Sequence, residues 1–182
     1  MFKIGDTVVY LTHGVGEIER REKREVLGET REYYVIRFRS GMVTHVPVDH
    51  AMNTGLRPVI DEKQADKVVR ALRKDPERQG GLWSHRVQRN EDKLKQGEAV
   101  ETAEVVRDLL GLDRSGKISS SEHLLRRKAQ SLLAEELAEV WAIGSEDAEA
   151  RIDEIVDAAV VRAEERAARE AAKAEKVEKA AA

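Results

Sequence analysis

Up to residue 58 the apolar positions come in short runs broken by turn residues. Residues 7–11 are β-branched, aromatic and aliphatic, and His13-Gly14-Val15-Gly16 reads as a glycine-marked turn. A weakly alternating run over 15–20 follows, and residues 25–29, containing Gly28, read as a second turn region. Over 31–38 Tyr33, Val35 and Phe38 are interleaved with polar residues. Ser40-Gly41 then leads into a run over 42–48, where Val43 and Val46 are apolar and Pro47 closes the strand. Short strands with turns at intervals of about 8–12 residues and no helix between them predict a small antiparallel barrel.

After residue 61 the period changes from two to that of a helix. Asp61 followed by Gln64 is a capping box, with Val68, Val69 and Leu72 on one side of the helix it opens. Asp75-Pro76 and Gly80-Gly81 break the chain. Residues 83–95 form a second helix with Trp83, Val87 and Leu94 at helical spacing, ended by Gly97. Residues 99–110 form a third, with Ala103, Val106 and Leu110 on one stripe. Ser119 and Glu122 form a second capping box, opening a helix that repeats Leu125, Ala129, Leu132, Glu136 and Val140. Ser145-Glu146-Asp147 starts a fifth, carrying Ile152, Ile155, Ala159 and Val160. Beyond Val161 the residues are almost all alanine or charged, which favours a helix but leaves little apolar surface to anchor it. The fold class is therefore α+β, a small antiparallel barrel followed by an all-α region of about five helices. The expected divisions are 1–58, 62–161 and a tail over 162–182.

Composition narrows the picture. With 37 % charged residues and only 4 % aromatic ones, much of the 182-residue chain is solvated surface, and a long multidomain enzyme is excluded. No cysteine is present, so disulfides, thiolate nucleophiles and cysteine-based metal sites are excluded. Asp6 interrupts the apolar stretch that a signal peptide would need, and no early run approaches the length of a membrane span. A cytoplasmic, monomeric protein with no membrane contact is expected.

The formal charge of -3 hides an uneven distribution. Residues 1–60 carry nine Lys/Arg against eight Asp/Glu, residues 63–95 ten against five, and residues 146–182 seven against eleven. A basic middle and an acidic tail point weakly to a polyanionic partner. The total is too close to neutral for a protein that holds nucleic acid unaided.

Enzymatic chemistry finds no foothold. No phosphate-binding loop, nucleophile elbow or H-E-x-x-H motif is present, and Gly14-x-Gly16 lacks the third glycine of a dinucleotide site. His45 and His50 lie close in sequence, but two imidazoles without a third ligand make a poor metal site. No catalytic residue, metal or cofactor is expected, and pairs such as Glu135-Glu136 read as helix surface. Trp83 follows two glycines at the start of a helix carrying His85, Arg86, Arg89, Lys93 and Lys95. Such an indole serves either as a core anchor or as a stacking wedge on nucleic acid, and from these residues alone the core reading is favoured. Arg20-Arg21-x-Lys23-Arg24 is interleaved with Glu19, Glu22 and Glu25 and reads as a neutral hairpin edge. Trp141 reads as core.

These residues resemble a known family. Phe2-Lys3-Ile4-Gly5-Asp6-Thr7-Val8-Val9-Tyr10, His13-Gly14-Val15-Gly16, Tyr34-Val35-Ile36 and Val46-Pro47-Val48 are similar to the N-terminal module of the CarD/CdnL family of bacterial transcription regulators. Trp83-Ser84-x-Arg86, Asn90, Lys93-Leu94 and Ala103-Glu104-Val105-Val106-Arg107-Asp108-Leu109 resemble its helical half, in the same order, over about residues 1–160. The resemblance implies a Tudor/SH3-like barrel that docks on the β subunit of bacterial RNA polymerase, through positions matching Arg24, Val26, His45 and Pro47. It also implies a helical domain that contacts promoter DNA at the upstream fork of the transcription bubble. There Trp83 would wedge beside Arg86, Arg89, Lys93 and His85 and stabilise the open complex. His85 and Gln88 stand where relatives can carry basic residues. A polymerase- or protein-binding adaptor with no direct DNA contact is the alternative. The carboxyl-terminal Ala180-Ala181-Ala182 reads as a protease-recognition end.

Overall fold

The protein's structure, a computed structural model, describes residues 1–181 apart from 11, 12, 27, 78 and 79, with side chains described to residue 174. Five strands, β1 (Thr7–Tyr10), β2 (Gly14–Val26), β3 (Glu29–Phe38), β4 (Val43–Pro47) and β5 (Leu56–Pro58), form one antiparallel sheet in the order β4-β3-β2-β1-β5. Side chains from all five strands, among them Val8, Ile18, Ile36, Val46 and Leu56, meet in a single apolar core closed by Ala51. A sheet whose two edge strands share one core must curl, and the result is the Tudor-like architecture expected. Tyr34 seals one end, its hydroxyl accepting from the Phe2 amide at 3.1 Å and donating to the Phe2 carbonyl at 3.3 Å.

Two strand boundaries differ from the sequence reading. β2 and β3 run into the expected turn region, pairing as far as Val26 with Glu29. Their outer halves are charged on both faces, so the alternation that marks a half-buried strand disappears although the ladder continues. β5 is only three residues long and exists because β1 offers it an open edge, which no local pattern announces. Residue 11 of the expected first strand lies outside the described residues.

Helices α1 (Glu62–Leu72), α2 (Trp83–Gln96), α3 (Ala99–Arg114), α4 (Ser120–Trp141) and α5 (Ser145–Ala181) complete the chain. Both capping boxes are formed: Asp61 accepts from the Gln64 amide at 2.7 Å, and Ser119 accepts from the Glu122 amide at 3.3 Å. α3 and α4 make the centre of a second core, with Val106, Leu109, Leu133 and Leu137 fully buried beside Val68 and Leu72 of α1 and Ile152 and Val156 of α5. Leu132 and Val140 of the expected α4 stripe are only half-buried, because the buried face is centred on Leu133 and Leu137. Trp141 sits half-buried at the margin of that core with the Arg151 guanidinium 4.1 Å over its ring. α5 loses its apolar contacts after Val160, although Arg162 donates to the Arg73 carbonyl at 3.3 Å and Arg166 pairs with Asp75. The terminal alanine side chains lie outside the described residues. Among the described residues no helix is long and apolar enough to cross a membrane.

The two halves are joined along α4 by its acidic residues. Glu136 is 3 % exposed; Arg57 of β5 grips it with both guanidinium ends, Nη2 lying 2.8 Å from Oε2, and the Ile60 amide donates to it at 3.1 Å. Arg57 also donates to the Gly97 carbonyl at 2.8 Å, beyond the end of α2. Glu135 accepts from the Val15 amide at 3.1 Å, and Glu139 pairs with Arg39 at the end of β3. Glu135-Glu136 is therefore not helix surface, as its polarity suggested, but the seam between sheet and helices. The close approach needs Gly14: its φ is +81°, and a Cβ there would fall 2.3 Å from a Glu135 carboxylate oxygen.

Because Glu136 is buried, deleting its partner leaves an uncompensated charge, a loss of about 3–5 kcal/mol. Arg57→Ala is expected to lower stability by that order in urea-induced unfolding. Arg57→Met combined with Glu136→Leu, which removes both charges, should recover most of it.

Candidate functional site

The helical half presents one unusual surface. Trp83 begins α2 and is 52 % exposed, and Leu82 beside it is 65 % exposed, while Val87 and Leu94 of the same helix turn to the core. The favoured core reading of Trp83 is thus overturned: the indole and its neighbour form an apolar tip facing solvent. Isolated exposed apolar residues are ordinary on a surface, but two large ones adjacent at a helix start are a candidate contact.

The tip is held from behind. Its approach is anchored by the buried pair Arg107–Asp108 of α3, at 2.7 Å; Asp108 accepts from the Glu77 amide at 2.9 Å, and Arg107 donates to the Ala71 carbonyl at 3.2 Å. The sequence reading took this run as a family signature without a role; it fixes both ends of the connection between α1 and the glycines. At the tip, Arg86 donates through Nε and Nη2 to the two oxygens of Glu122 at 2.7 and 3.1 Å, and through Nη1 to the Gly81 carbonyl at 2.8 Å. Arg89 donates to the Gly80 carbonyl at 3.0 Å and is otherwise turned to solvent, as is His85. Lys93 lies about one turn beyond Arg89, bonded to Glu104 at 2.6 Å. Of the five expected contact residues, then, Trp83, His85 and Arg89 are exposed. The charges of Arg86 and Lys93 are matched by acids of α4 and α3.

These pairings set the local proton equilibria. Burial pushes the Glu122 carboxyl up, but hydrogen bonds from Arg86 and Ser119 outweigh it and hold the group below its ordinary value. Glu104 is held low by Lys93 against a smaller burial effect. Glu135 at the seam goes the other way: its burial outweighs the Val15 amide and raises it.

On the sheet, β2, β3 and β4 bring the other expected positions onto one outer face. In the ladder Arg24 lies opposite Arg31 and Val26 opposite Glu29, while Val35 lies opposite His45 and Tyr33 opposite Pro47. Side chains two apart along a strand share a face, so Arg24, Val26, His45 and Pro47 form one patch. Arg24 Nη2 is 2.7 Å from His45 Nε2, and Glu22 links the two: it pairs with Arg24 and lies 3.1 Å from the same imidazole nitrogen. Val26 is exposed and Pro47 half-buried. His50 is exposed at the end of a short 3-10 turn, on a separate element from His45.

Residues 2–60 match the family model described as the CarD-like/TRCF RID domain, and residues 67–153 match the one described as CarD, C-terminal domain. The chain is also 35 % identical over 144 residues to "Putative transcription factor YdeB" of Bacillus subtilis (strain 168), covering 79 % of this chain and 94 % of that protein. The chain belongs to the CarD/CdnL family. That membership places it among transcription regulators built with an RNA polymerase-interacting N-terminal domain, and this is a transcription-factor family, not one of enzymes. The expectation taken from sequence motifs alone is borne out at this level.

The opposed shifts of Glu122 and Glu135 are checked by carboxyl carbon NMR titration. Glu122 is expected to titrate below the ordinary glutamate value of about 4.3 and Glu135 above it. By linkage, what Glu122 contributes to stability is complete above its unfolded value and is lost as pH falls through its depressed one; the Glu135 contribution is present at low pH and lost as pH rises through its raised one. Arg86→Ala should move the Glu122 midpoint upward and leave that of Glu135 in place.

Proposed function

We propose that the protein binds the β subunit of bacterial RNA polymerase through the β2–β3–β4 face, and that Trp83 stabilises the promoter open complex at the upstream edge of the transcription bubble. The observation that carries this reading is the half-exposed indole of Trp83 at the start of a helix whose other apolar residues are buried. A flat aromatic on a fixed platform suits insertion at a step where base pairs are already parting. Pyrimidine–purine steps unstack most readily, so a wedge there meets the least resistance. A ligand shifts an equilibrium only by binding one state better, and an indole that fits the opened fork and not the closed duplex favours the open form.

Electrostatics assigns the delivery to the polymerase. Among the described residues of α2's first two turns, Arg89 and His85 are basic and exposed, with Arg86 and Lys93 matched by Glu122 and Glu104. A surface making so few phosphate contacts has a shallow salt dependence and weak affinity for free DNA. Docking the sheet on polymerase converts the weak contact into an intramolecular one at high effective concentration. The adaptor reading, with no DNA contact, draws on the same pairing of cations. It differs in predicting no role for Trp83 once polymerase is bound. The protein's place is then wherever polymerase engages the nucleoid.

Base–aromatic stacking is worth about 1–3 kcal/mol, so Trp83→Ala should shorten open-complex lifetime by about 5- to 150-fold while leaving polymerase binding intact. Arg24→Glu is expected to do the converse, weakening polymerase binding by about tenfold (about 1.4 kcal/mol) without altering the Trp83 environment. Unchanged lifetimes with Trp83→Ala would favour the adaptor.

A further inference from the structure

No side-chain cap steadies the first turn of α2, where Trp83 stands. The residue before it, Leu82, is extended at φ -66° and ψ 146° and caps the helix with no side-chain hydrogen bond. Gly80 and Gly81 precede it, Gly81 at φ +96°, and a Cβ on either would meet nothing within 4 Å. An uncapped first turn fed by two unpacked glycines frays readily, because glycine carries the largest backbone entropy to be lost and the first amides of a helix need outside partners. A wedge on such a turn would have to be ordered at the moment of binding, at the expense of affinity.

One side chain supplies the missing constraint. Arg86 stands three residues after Trp83, so the two lie on adjoining parts of one helical surface. Its guanidinium joins three elements: Nη1 donates to the Gly81 carbonyl at 2.8 Å, and Nε and Nη2 donate to the two oxygens of Glu122 at 2.7 and 3.1 Å. Glu122 is fixed in turn: it is fully buried, it is the third residue of α4, and its Oε2 also accepts from the Ser119 amide at 2.9 Å and the Ser119 hydroxyl at 2.8 Å. The first turn of α4, through its buried Glu122, is thereby tied to the loop two residues before the indole. The Arg86 side chain is 15 % exposed, with its fork already filled by a carboxylate. A phosphate taking that place would leave Glu122 buried without its cation.

We infer that Arg86 and Glu122 are positioning residues that aim Trp83, and that Arg86 acts on DNA through the indole instead of gripping a phosphate. This rests on Trp83 being the wedge. Arg89, bonded to the Gly80 carbonyl at 3.0 Å, is the second tie on the same loop. The fork requires arginine: a lysine ammonium is a point charge that cannot span Gly81 and both oxygens of Glu122. An acidic residue beside a DNA-facing tryptophan, which electrostatics alone would count against binding, becomes a requirement for it.

The test uses the full chain carrying Trp141→Phe, so that Trp83 alone fluoresces, with Arg86→Lys and Glu122→Gln made in that background. Both keep the fold within reach, since lysine keeps the charge and glutamine still completes a capping box. Three readings are taken well below the melting temperature: Trp83 anisotropy with acrylamide quenching, polymerase binding, and open-complex lifetime on a promoter. The bracket predicts lower anisotropy, stronger quenching, unchanged polymerase binding, and lifetimes within about twofold of the Trp83→Ala protein for both variants. Ile152→Val, a core change on α5 that also lowers stability, should leave anisotropy and lifetime at the parent values; a parallel loss there would overturn the positioning role in favour of general destabilisation. If Arg86 instead grips a phosphate, Arg86→Lys retains most of the lifetime and Glu122→Gln, by freeing the guanidinium, lengthens it, and the inference is overturned. Failure of the wedge reading is separable: Trp83→Ala would then match the parent in lifetime while the anisotropies of parent and Glu122→Gln still differed.

Discussion

The structure depends on buried carboxylates of one helix. α4 places Glu136 against Arg57 with 3 % of the residue exposed, and along the same helix Glu122 holds Arg86, Glu135 takes the Val15 amide and Glu139 takes Arg39. Hydrophobic contact alone leaves two surfaces free to slide, whereas a bidentate ion pair out of water tolerates one geometry, because any other strands a charge. The sheet and the helices therefore have a defined relation. The distance from the β2–β3–β4 face to the indole of Trp83 is set by α4 and not by the linker between the two halves.

That defined relation bears on how a nearly neutral protein would act in the proposed mechanism. The chain carries 32 basic and 35 acidic residues, and Arg86 and Lys93 are paired to acids. Under the proposed function what the protein offers is placement, with one face for polymerase and one apolar tip for the fork. Under the proposed mechanism, the effect on the open complex comes from where Trp83 is held and how little ordering it needs on arrival. The basic excess of residues 63–95 overstates the field at the tip, since two of those charges, Arg86 and Lys93, are matched by acids of α4 and α3.

Much of the architecture was legible along the chain. The switch from short alternating runs to helical spacing near residue 61 separates the two cores, and the pairs Asp61/Gln64 and Ser119/Glu122 mark the starts of α1 and α4. These signals are local: a capping box needs four residues and a stripe needs two turns. The outer halves of β2 and β3, the three residues of β5 and the Glu135-Glu136 seam left no such mark. Charged strands lack alternation, an edge strand depends on the neighbour that pairs with it, and a buried glutamate looks like any other until its arginine arrives from 79 residues away.

The candidate site divides along the same line. Sequence by itself determined the two-part α+β organisation, the family through motifs in both halves, and the residues to watch, with Arg24, Val26, His45 and Pro47 on one side and Trp83, His85, Arg86, Arg89 and Lys93 on the other. Only the tertiary structure decided which of them face solvent. It turned Trp83 outward, set Arg24 beside His45 across two strands, and bound Arg86 to Glu122 and Lys93 to Glu104. The reason is physical: residue type and spacing fix what a side chain is able to do, but whether a cation is free or neutralised depends on a carboxylate brought to it by packing from elsewhere in the chain.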